Sequence, residues 1–69
     1  MEKIVIKTLY ITLGQLLKIK GLISSGGEAK YFLNTKLVFV NGEEDNRRGR
    51  KLYKNDIIKI EEKEFIIND

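Results

Sequence analysis

The sequence contains no cysteine and no histidine. Without cysteine there is no disulfide framework, no thiolate zinc site and no cysteine nucleophile, and this composition is compatible with a reducing cytosol. Without histidine the chain also lacks the commonest general base and the commonest metal ligand. Most hydrolytic and metal-dependent mechanisms therefore have no residues to act with. We identify no catalytic residue, no metal site and no cofactor, and we expect the protein not to be an enzyme.

Long apolar runs and proline are absent as well. The longest apolar run, at residues 37–40, is far below the ~20 residues that a membrane-spanning helix needs. The first residues, 1–4, do not resemble a signal peptide, so we expect a cytoplasmic protein with no membrane partner. A chain of 69 residues with 42% hydrophobic and 33% charged residues indicates one small folded domain, residues 1–69. So small a domain offers little concave surface, and we expect no small-molecule substrate.

The formal net charge is only +3, but the charges are unevenly distributed. Residues 1–42 carry six lysines and two glutamates, and residues 46–54 carry five basic residues and no acidic one. Residues 43–45 are all acidic, and residues 55–69 contain five acidic residues against two lysines. If the first half and the arginine-rich segment meet in space, the folded domain has a basic side and an acidic side.

Two short amphipathic helices are predicted in the first half. Thr12 is the expected N-cap of the first, which ends near Lys20 before Gly21 and buries its leucines. Ser25 and Glu28 have the spacing of a capping box, which predicts a second helix to about residue 35. Both helices are too short to be stable in isolation, so they need a sheet to pack against.

The remaining patterns predict strands. β-Branched residues alternate with polar ones at residues 3–9, and apolar runs occupy residues 36–40, 57–60 and 65–67. Asn41-Gly42 is a strong hairpin signal, because both residues tolerate a positive φ, and residues 43–45 can pair back as a short strand. Residues 46–51, hereafter the arginine loop, lack a hydrophobic period and are predicted to be exposed. The predicted fold class is α+β, with two short helices packed on a small, mainly antiparallel sheet.

An ordered series of residues resembles the α-L RNA-binding motif, the domain named after small-subunit ribosomal protein S-four. It begins with Thr12-Leu13-Gly14-Gln15-Leu16-Leu17, continues through Val38-Phe39-Val40-Asn41-Gly42, and ends with Asn55-Asp56-Ile57-Ile58-Lys59-Ile60. The resemblance covers about residues 12–60. Since little lies outside it and the arginine loop is also present, the chain resembles the stand-alone YaaA-like members. The resemblance implies binding of structured RNA, with ribosomal RNA or a ribosomal subunit as the expected partner, through the polar side of the helical pair and the adjoining loops.

The candidate RNA-binding residues are polar or basic and lie on the helical pair or in the arginine loop: Thr12, Gln15, Lys18, Lys30, Arg47, Arg48, Arg50 and Lys51. Arginine provides fork-shaped donors that suit phosphate oxygens. Four contacts from the loop would give a log–log salt slope on the order of −3 to −4 by analogy with counterion release from DNA. Many family members begin the first helix Arg-Leu-Asp where this chain has Thr12-Leu13-Gly14, and the arginine loop is our hypothesis for what compensates.

The residues leave other interpretations open. The arginine loop could be a solvated loop balanced by the acidic residues 43–45, and the helix residues could serve only solubility. The clustered carboxylates lack the spacing of a calcium loop and are interpreted as solvated turns. The alternative function is a protein-interaction adaptor whose basic face docks on an acidic protein. DNA binding is also open, because phosphate contacts do not distinguish the two polymers.

Overall fold

The computed structural model describes residues 1–69 and contains two helices and seven strands. In chain order they are β1 (Glu2–Val5), β2 (Tyr10–Thr12), α1 (Leu13–Ile19), α2 (Gly27–Thr35), β3 (Val38–Val40), β4 (Glu43–Glu44), β5 (Lys51–Tyr53), β6 (Ile57–Ile60) and β7 (Lys63–Asn68). Five strands form one sheet in the order β1-β7-β6-β3-β4, and β2 pairs with β5 in a separate two-stranded ribbon. Only the β1–β7 pair is parallel. The predicted α+β class with a mainly antiparallel sheet is confirmed.

One hydrophobic core joins the helices to both sheets. Its members come from alternate positions of β3, β6 and β7, from the apolar stripes of the two helices, and from the ribbon residues Ile11 and Leu52. Leu13, Leu16 and Leu17 of α1 are fully buried, as the sequence predicts. Full burial of each leucine contributes about 1.5–3 kcal/mol, so the core supplies the stability that the short helices lack alone. Neither helix has the length and the apolar composition that a membrane-spanning helix requires.

The ends of α1 are as predicted, but the start of α2 is not. Thr12 caps α1 through a reciprocal capping box with Gln15. The N-cap of α2 is Gly26 rather than Ser25, and it has no side-chain cap. Glu28 instead reaches back one residue further, and its carboxylate accepts hydrogen bonds from the hydroxyl and the backbone N–H of Ser24. These hydrogen bonds, above all that from the Ser24 hydroxyl, lower the pKa of the Glu28 carboxyl.

The predicted strand at residues 3–9 is wrong in its second half. The strand β1 ends at Val5, and the chain bends over residues 7–9 before β2 begins at Tyr10. It bends because β1 pairs with β7 in the five-stranded sheet, whereas Tyr10 onward must reach β5 in the ribbon. The strands at the N- and C-terminal ends of the chain, β1 and β7, pair with each other in parallel.

The predicted hairpin turn between β3 and β4 is confirmed. Asn41 and Gly42 have φ values of 52° and 86°, which are the positive angles that a tight two-residue turn demands. The Asn41 amide also donates to the carboxylate of Asp56 at 3.0 Å and accepts from the backbone N–H of Ile57 at 2.9 Å. The turn is thereby tied to the start of β6.

Candidate nucleic-acid interface

The arginine loop is fixed to the first turn of α1 by backbone hydrogen bonds. The N–H of Leu13 donates to the carbonyl of Arg50, and the N–H of Gly14 donates to the carbonyl of Arg48, both at 2.8 Å. The next amide, that of Gln15, donates to the Thr12 hydroxyl at 3.2 Å. The first amides of a helix have no partner within the helix, and here the loop carbonyls supply two of the missing acceptors. The helix start and the arginine loop therefore form one connected structure.

Gly14 permits this close approach. A Cβ atom at this position would lie 3.2 Å from the Arg48 carbonyl oxygen, 3.5 Å from the Arg48 Cβ and 3.9 Å from the Ala29 Cβ. The first of these distances is shorter than ordinary van der Waals contact, so the loop backbone would have to shift. The sequence places Gly14 on the polar side of α1, and the structure shows that this bare position is covered by the loop.

The carboxylate of Asp45 binds two side chains of the arginine loop, those of Arg47 and Arg50. Its carboxylate accepts from the Arg47 backbone N–H at 2.9 Å, from Arg47 Nε at 3.0 Å, from Arg47 Nη2 at 2.7 Å and from Arg50 Nη1 at 2.7 Å. Asp45 is only 8% exposed, and its interpretation as part of a solvated turn is wrong. The side-chain hydrogen bond from Arg47 is the main reason that the pKa of the Asp45 carboxyl lies well below its usual range. The same contact raises the pKa of Arg47.

The guanidinium groups of Arg47 and Arg50 differ in how far they are exposed to solvent. The Arg47 side chain is 67% exposed, whereas that of Arg50 is only 29% exposed. Arg50 is thus mainly a structural partner of Asp45, while the remaining donors of Arg47 still face solvent. The arginine loop is also less irregular than predicted, because its last residue, Lys51, belongs to β5.

The β2–β5 ribbon places Lys51 beside the helix cap. In the antiparallel register Thr12 is opposite Lys51 and Tyr10 is opposite Tyr53, so these four side chains lie on the same face of the ribbon. The Tyr10 and Tyr53 rings are 5.6 Å apart, centroid to centroid, and are inclined at 51°. The Lys51 Nζ lies 5.0 Å from the centroid of the Tyr10 ring, within cation–π range.

Only some of the predicted site residues lie close to one another. Five of them meet at the start of α1 through the contacts described above: Thr12, Gln15, Arg48, Arg50 and Lys51. Lys18 is exposed one turn further along α1, and Arg47 is held by Asp45. Lys30 is exposed on α2, and no hydrogen bond or ion pair connects it to the others.

Ion pairing separates the basic residues of the candidate site into two classes. Arg47 and Arg50 pair with Asp45, whereas the other four, Lys18, Lys30, Arg48 and Lys51, form no ion pair. Three lysines elsewhere pair with carboxylates, namely Lys20, Lys36 and Lys54. A cation without a carboxylate partner can contact a phosphate without first breaking an ion pair. No group of three or more acidic residues is arranged to hold a metal ion.

Sequence reasoning missed three features of the site: the buried Asp45, the contact at Gly14 and the tyrosine pair on the ribbon. A usable signal existed for the first, because an aspartate two residues before Arg47 can accept that residue's backbone N–H in an Asx turn. The other two depend on contacts between distant parts of the chain.

Comparison with known proteins places these features in a family context. A family model described as the S4 domain matches residues 4–68. A protein of Bacillus subtilis (strain 168) described as a "Probable ribosome maturation protein RlbA" is 59% identical over 56 residues, which cover 81% of this chain and 79% of that protein.

Proposed function

Because the chain belongs to the S4 domain family, we propose that it is a non-catalytic protein that binds structured ribosomal RNA during ribosome maturation. The family and the ribosome-maturation relative support an RNA-binding role related to ribosome assembly. The finer parts of the proposal are the ribosomal RNA itself, the ribosomal subunit as partner, and a cytoplasmic location. They agree with the resemblance identified in the sequence.

The proposed contact surface centres on the start of α1 and the arginine loop. Its phosphate-binding cations are Arg48, Lys51 and Lys18, with Lys30 contributing from α2 and Arg47 through its free donors. Thr12 and Gln15 provide polar groups between them, and Arg50 holds the loop in shape through Asp45. The observation that carries this assignment is the anchoring of the loop carbonyls on the α1 amides, because it fixes the backbone of Arg48 and Arg50 relative to the helix.

Phosphate contacts would position the protein, and the shape of the RNA would provide selectivity. Double-stranded RNA is recognised largely through the spacing of its phosphates and through its 2′-hydroxyls, and not through base edges in its narrow major groove. Cations whose backbone positions are fixed by the fold suit such recognition. With four unpaired cations contacting phosphates, the log of the binding constant should fall with the log of the salt concentration with a slope of about −3 to −4.

The proposal is tested by measuring the binding of the purified protein to ribosomal RNA fragments, ribosomal subunits and matched duplex DNA at several salt concentrations. We expect salt-dependent binding that favours structured ribosomal RNA or one subunit over DNA. In the Arg48→Ala/Lys51→Ala variant the slope should become less steep by about 2, since each lost phosphate contact removes about 1.

The matched control is Lys59→Ala/Lys63→Ala, which removes two other exposed lysines without ion pairs, on β6 and β7. This variant has the same net charge as the test variant and should retain the wild-type slope. If the salt slope becomes less steep by the same amount in both variants, the effect is one of net charge alone, and the proposed surface is refuted. Failure of the wild-type protein to bind any nucleic acid at low salt would refute RNA binding and favour the adaptor alternative.

A further inference from the structure

A groove of about 870 Å³ lies beside the proposed phosphate-binding surface, between β2 and α1. Its walls include Leu9, Tyr10 and Ile19, and Thr12, Gln15 and Lys18 contribute polar groups. Leu9 and Ile19 are among the most exposed apolar side chains of the protein, at 78% and 58%. The core does not explain them, because neither belongs to it. Exposed apolar side chains gathered in one concave place are typical of a binding site.

The polar group best placed to act in this groove is the Gln15 amide. Its Oε1 accepts the backbone N–H of Thr12 at 2.7 Å, which completes the capping box of α1. This bond fixes which way the amide is oriented and leaves the two Nε2 hydrogens without an acceptor in the protein. Gln15 therefore offers a preoriented pair of donors beside an apolar wall.

We propose that this groove holds an unpaired nucleobase of the bound RNA, a proposal that rests on the RNA-binding function proposed above. The base would lie against Leu9, Tyr10 and Ile19, and the Gln15 amide would donate to an acceptor on its edge. The adjacent phosphate would meet Lys18 on α1. Unstacked bases of RNA loops and bulges are recognised by proteins in this way, through apolar or aromatic contact and hydrogen bonds to the base edge.

Charge favours RNA over a protein segment as the occupant. No acidic residue lines the groove, and its single charged residue is Lys18, which has no carboxylate partner. Lys51, on the Tyr10 side, also has no carboxylate partner and lies over the Tyr10 ring. The groove is continuous with the proposed RNA surface, since Thr12, Gln15 and Lys18 belong to both. An apolar floor bordered only by cations matches a base attached to a charged backbone.

The test compares two RNAs with the same stem, one a hairpin with a single-stranded loop and the other a blunt-ended duplex. The variant is Leu9→Ser/Ile19→Ser, and both positions are exposed enough to be changed without loss of folding. We expect the wild type to prefer the hairpin. The variant should bind the hairpin about fivefold more weakly, at the lower end of the about 5- to 150-fold that a base stacked on an aromatic side chain contributes, because Leu9 and Ile19 are aliphatic and Tyr10 remains. Its binding to the duplex and its salt slope should not change.

A second variant, Gln15→Glu, tests the amide separately. Glutamate retains an oxygen that can accept the Thr12 N–H, so the capping box and the fold are preserved. It loses both amide donors and should weaken hairpin binding more than duplex binding. Leu37→Ser is the control for the apolar change, because Leu37 is 59% exposed and lies outside the groove. Lys59→Gln is the control for the equal change in net charge.

Three outcomes would overturn the proposal. If the groove variants bind both RNAs as tightly as the wild type does, the proposed base site is refuted and the proposed RNA-binding function is not. If the wild type self-associates in analytical ultracentrifugation and Leu9→Ser/Ile19→Ser restores the monomer, the groove is an interface between two copies of the chain. If the wild type binds neither RNA, the proposed function and the base site fall together.

Discussion

Replacing Asp45 by asparagine removes the negative charge that holds the arginine loop together. The substitution is nearly isosteric and retains the oxygen that can accept the Arg47 backbone N–H, which lies 2.9 Å from Oδ1. It replaces the oxygen that accepts from Arg47 Nη2 and Arg50 Nη1, both at 2.7 Å, with an amide group that donates. The Arg47 and Arg50 guanidinium donors then face the amide NH2 of the asparagine, which is also a donor, so the loop must rearrange.

The expected loss of stability follows from these bonds. A hydrogen bond to a charged group contributes about 1.5–3 kcal/mol, so two such bonds set an upper limit of about 3–6 kcal/mol. Arg47 is largely exposed and Arg50 partly so, and both regain hydration once released. Because this hydration recovers part of the free energy, the free energy of unfolding should fall by about 2 kcal/mol. In a domain of this size the loss corresponds to a fall in Tm of about 8–16 °C.

The loss is measured by urea denaturation followed by circular dichroism, since the chain has no tryptophan to report unfolding. Glu61→Gln is the control, because Glu61 is an exposed carboxylate whose pair with Lys36 spans 3.7 Å, and its removal should cost less than about 0.5 kcal/mol. If Asp45→Asn costs no more than Glu61→Gln, the assigned role of Asp45 is refuted.

The dependence on pH provides an independent check of the same contact. The pKa of Asp45 is lower in the folded protein than in the unfolded chain. The stability that this carboxylate contributes is therefore fully present above the ordinary aspartate pKa of about 3.9, and it is lost as the pH falls through the lower folded value. The difference in the free energy of unfolding between the wild type and Asp45→Asn should be constant from about pH 7 to pH 5 and should decrease below about pH 4. A difference that stays the same at low pH would contradict the assignment.

Three further substitutions test the local geometry. Gly14→Ala should change stability by less than about 1 kcal/mol, because the gain in helix propensity offsets the crowding against the Arg48 carbonyl, and yet RNA affinity should fall as the loop shifts. Gly27→Ala is its control: the free energy of unfolding should rise by up to about 1 kcal/mol, because alanine restricts the unfolded chain, and RNA affinity should not change, since no atom crowds that position. Asn41→Ala should cost about 2 kcal/mol, measured by thermal unfolding, because it loses the bond to Asp56 and places alanine at a φ of 52°. A loss in Asn41→Ala below about 0.5 kcal/mol, or wild-type RNA affinity in Gly14→Ala, would contradict these arguments.

The parts of the fold that depend on neighbouring residues could be predicted from the sequence. The extent of α1 follows from the Thr12 cap, the leucine spacing and Gly21, which adopts a φ of 72° after the helix. The turn at Asn41-Gly42 follows from the two residues that best tolerate a positive φ. At the start of α2 the prediction was one residue off: the Glu28 carboxylate accepts from Ser24, whereas Ser25 accepts the Glu28 backbone N–H through its carbonyl.

The sequence identifies candidate residues for the site but not how they are arranged, and their contact with RNA stays a prediction. The residue types identify Arg48, Lys51, Gln15 and Lys18 as candidates, yet nothing in the sequence distinguishes them from Arg50, which turns inward to Asp45. An arginine has the same charge whether it faces a phosphate or a buried carboxylate. Which of the two it faces depends on the path of the backbone around it.

The sequence by itself determined the helices, the hairpin turn and the basic character of residues 46–54, because caps, periodicity and turn residues act over a few positions of the chain. Tertiary structure alone decided three things: the parallel pairing of β1 with β7, the ribbon that brings Tyr10 to Tyr53, and the packing of the arginine loop on Gly14. Each of these joins segments far apart in the chain. Such contacts form only when burial of the shared core outweighs the entropy lost in closing the long loops between them.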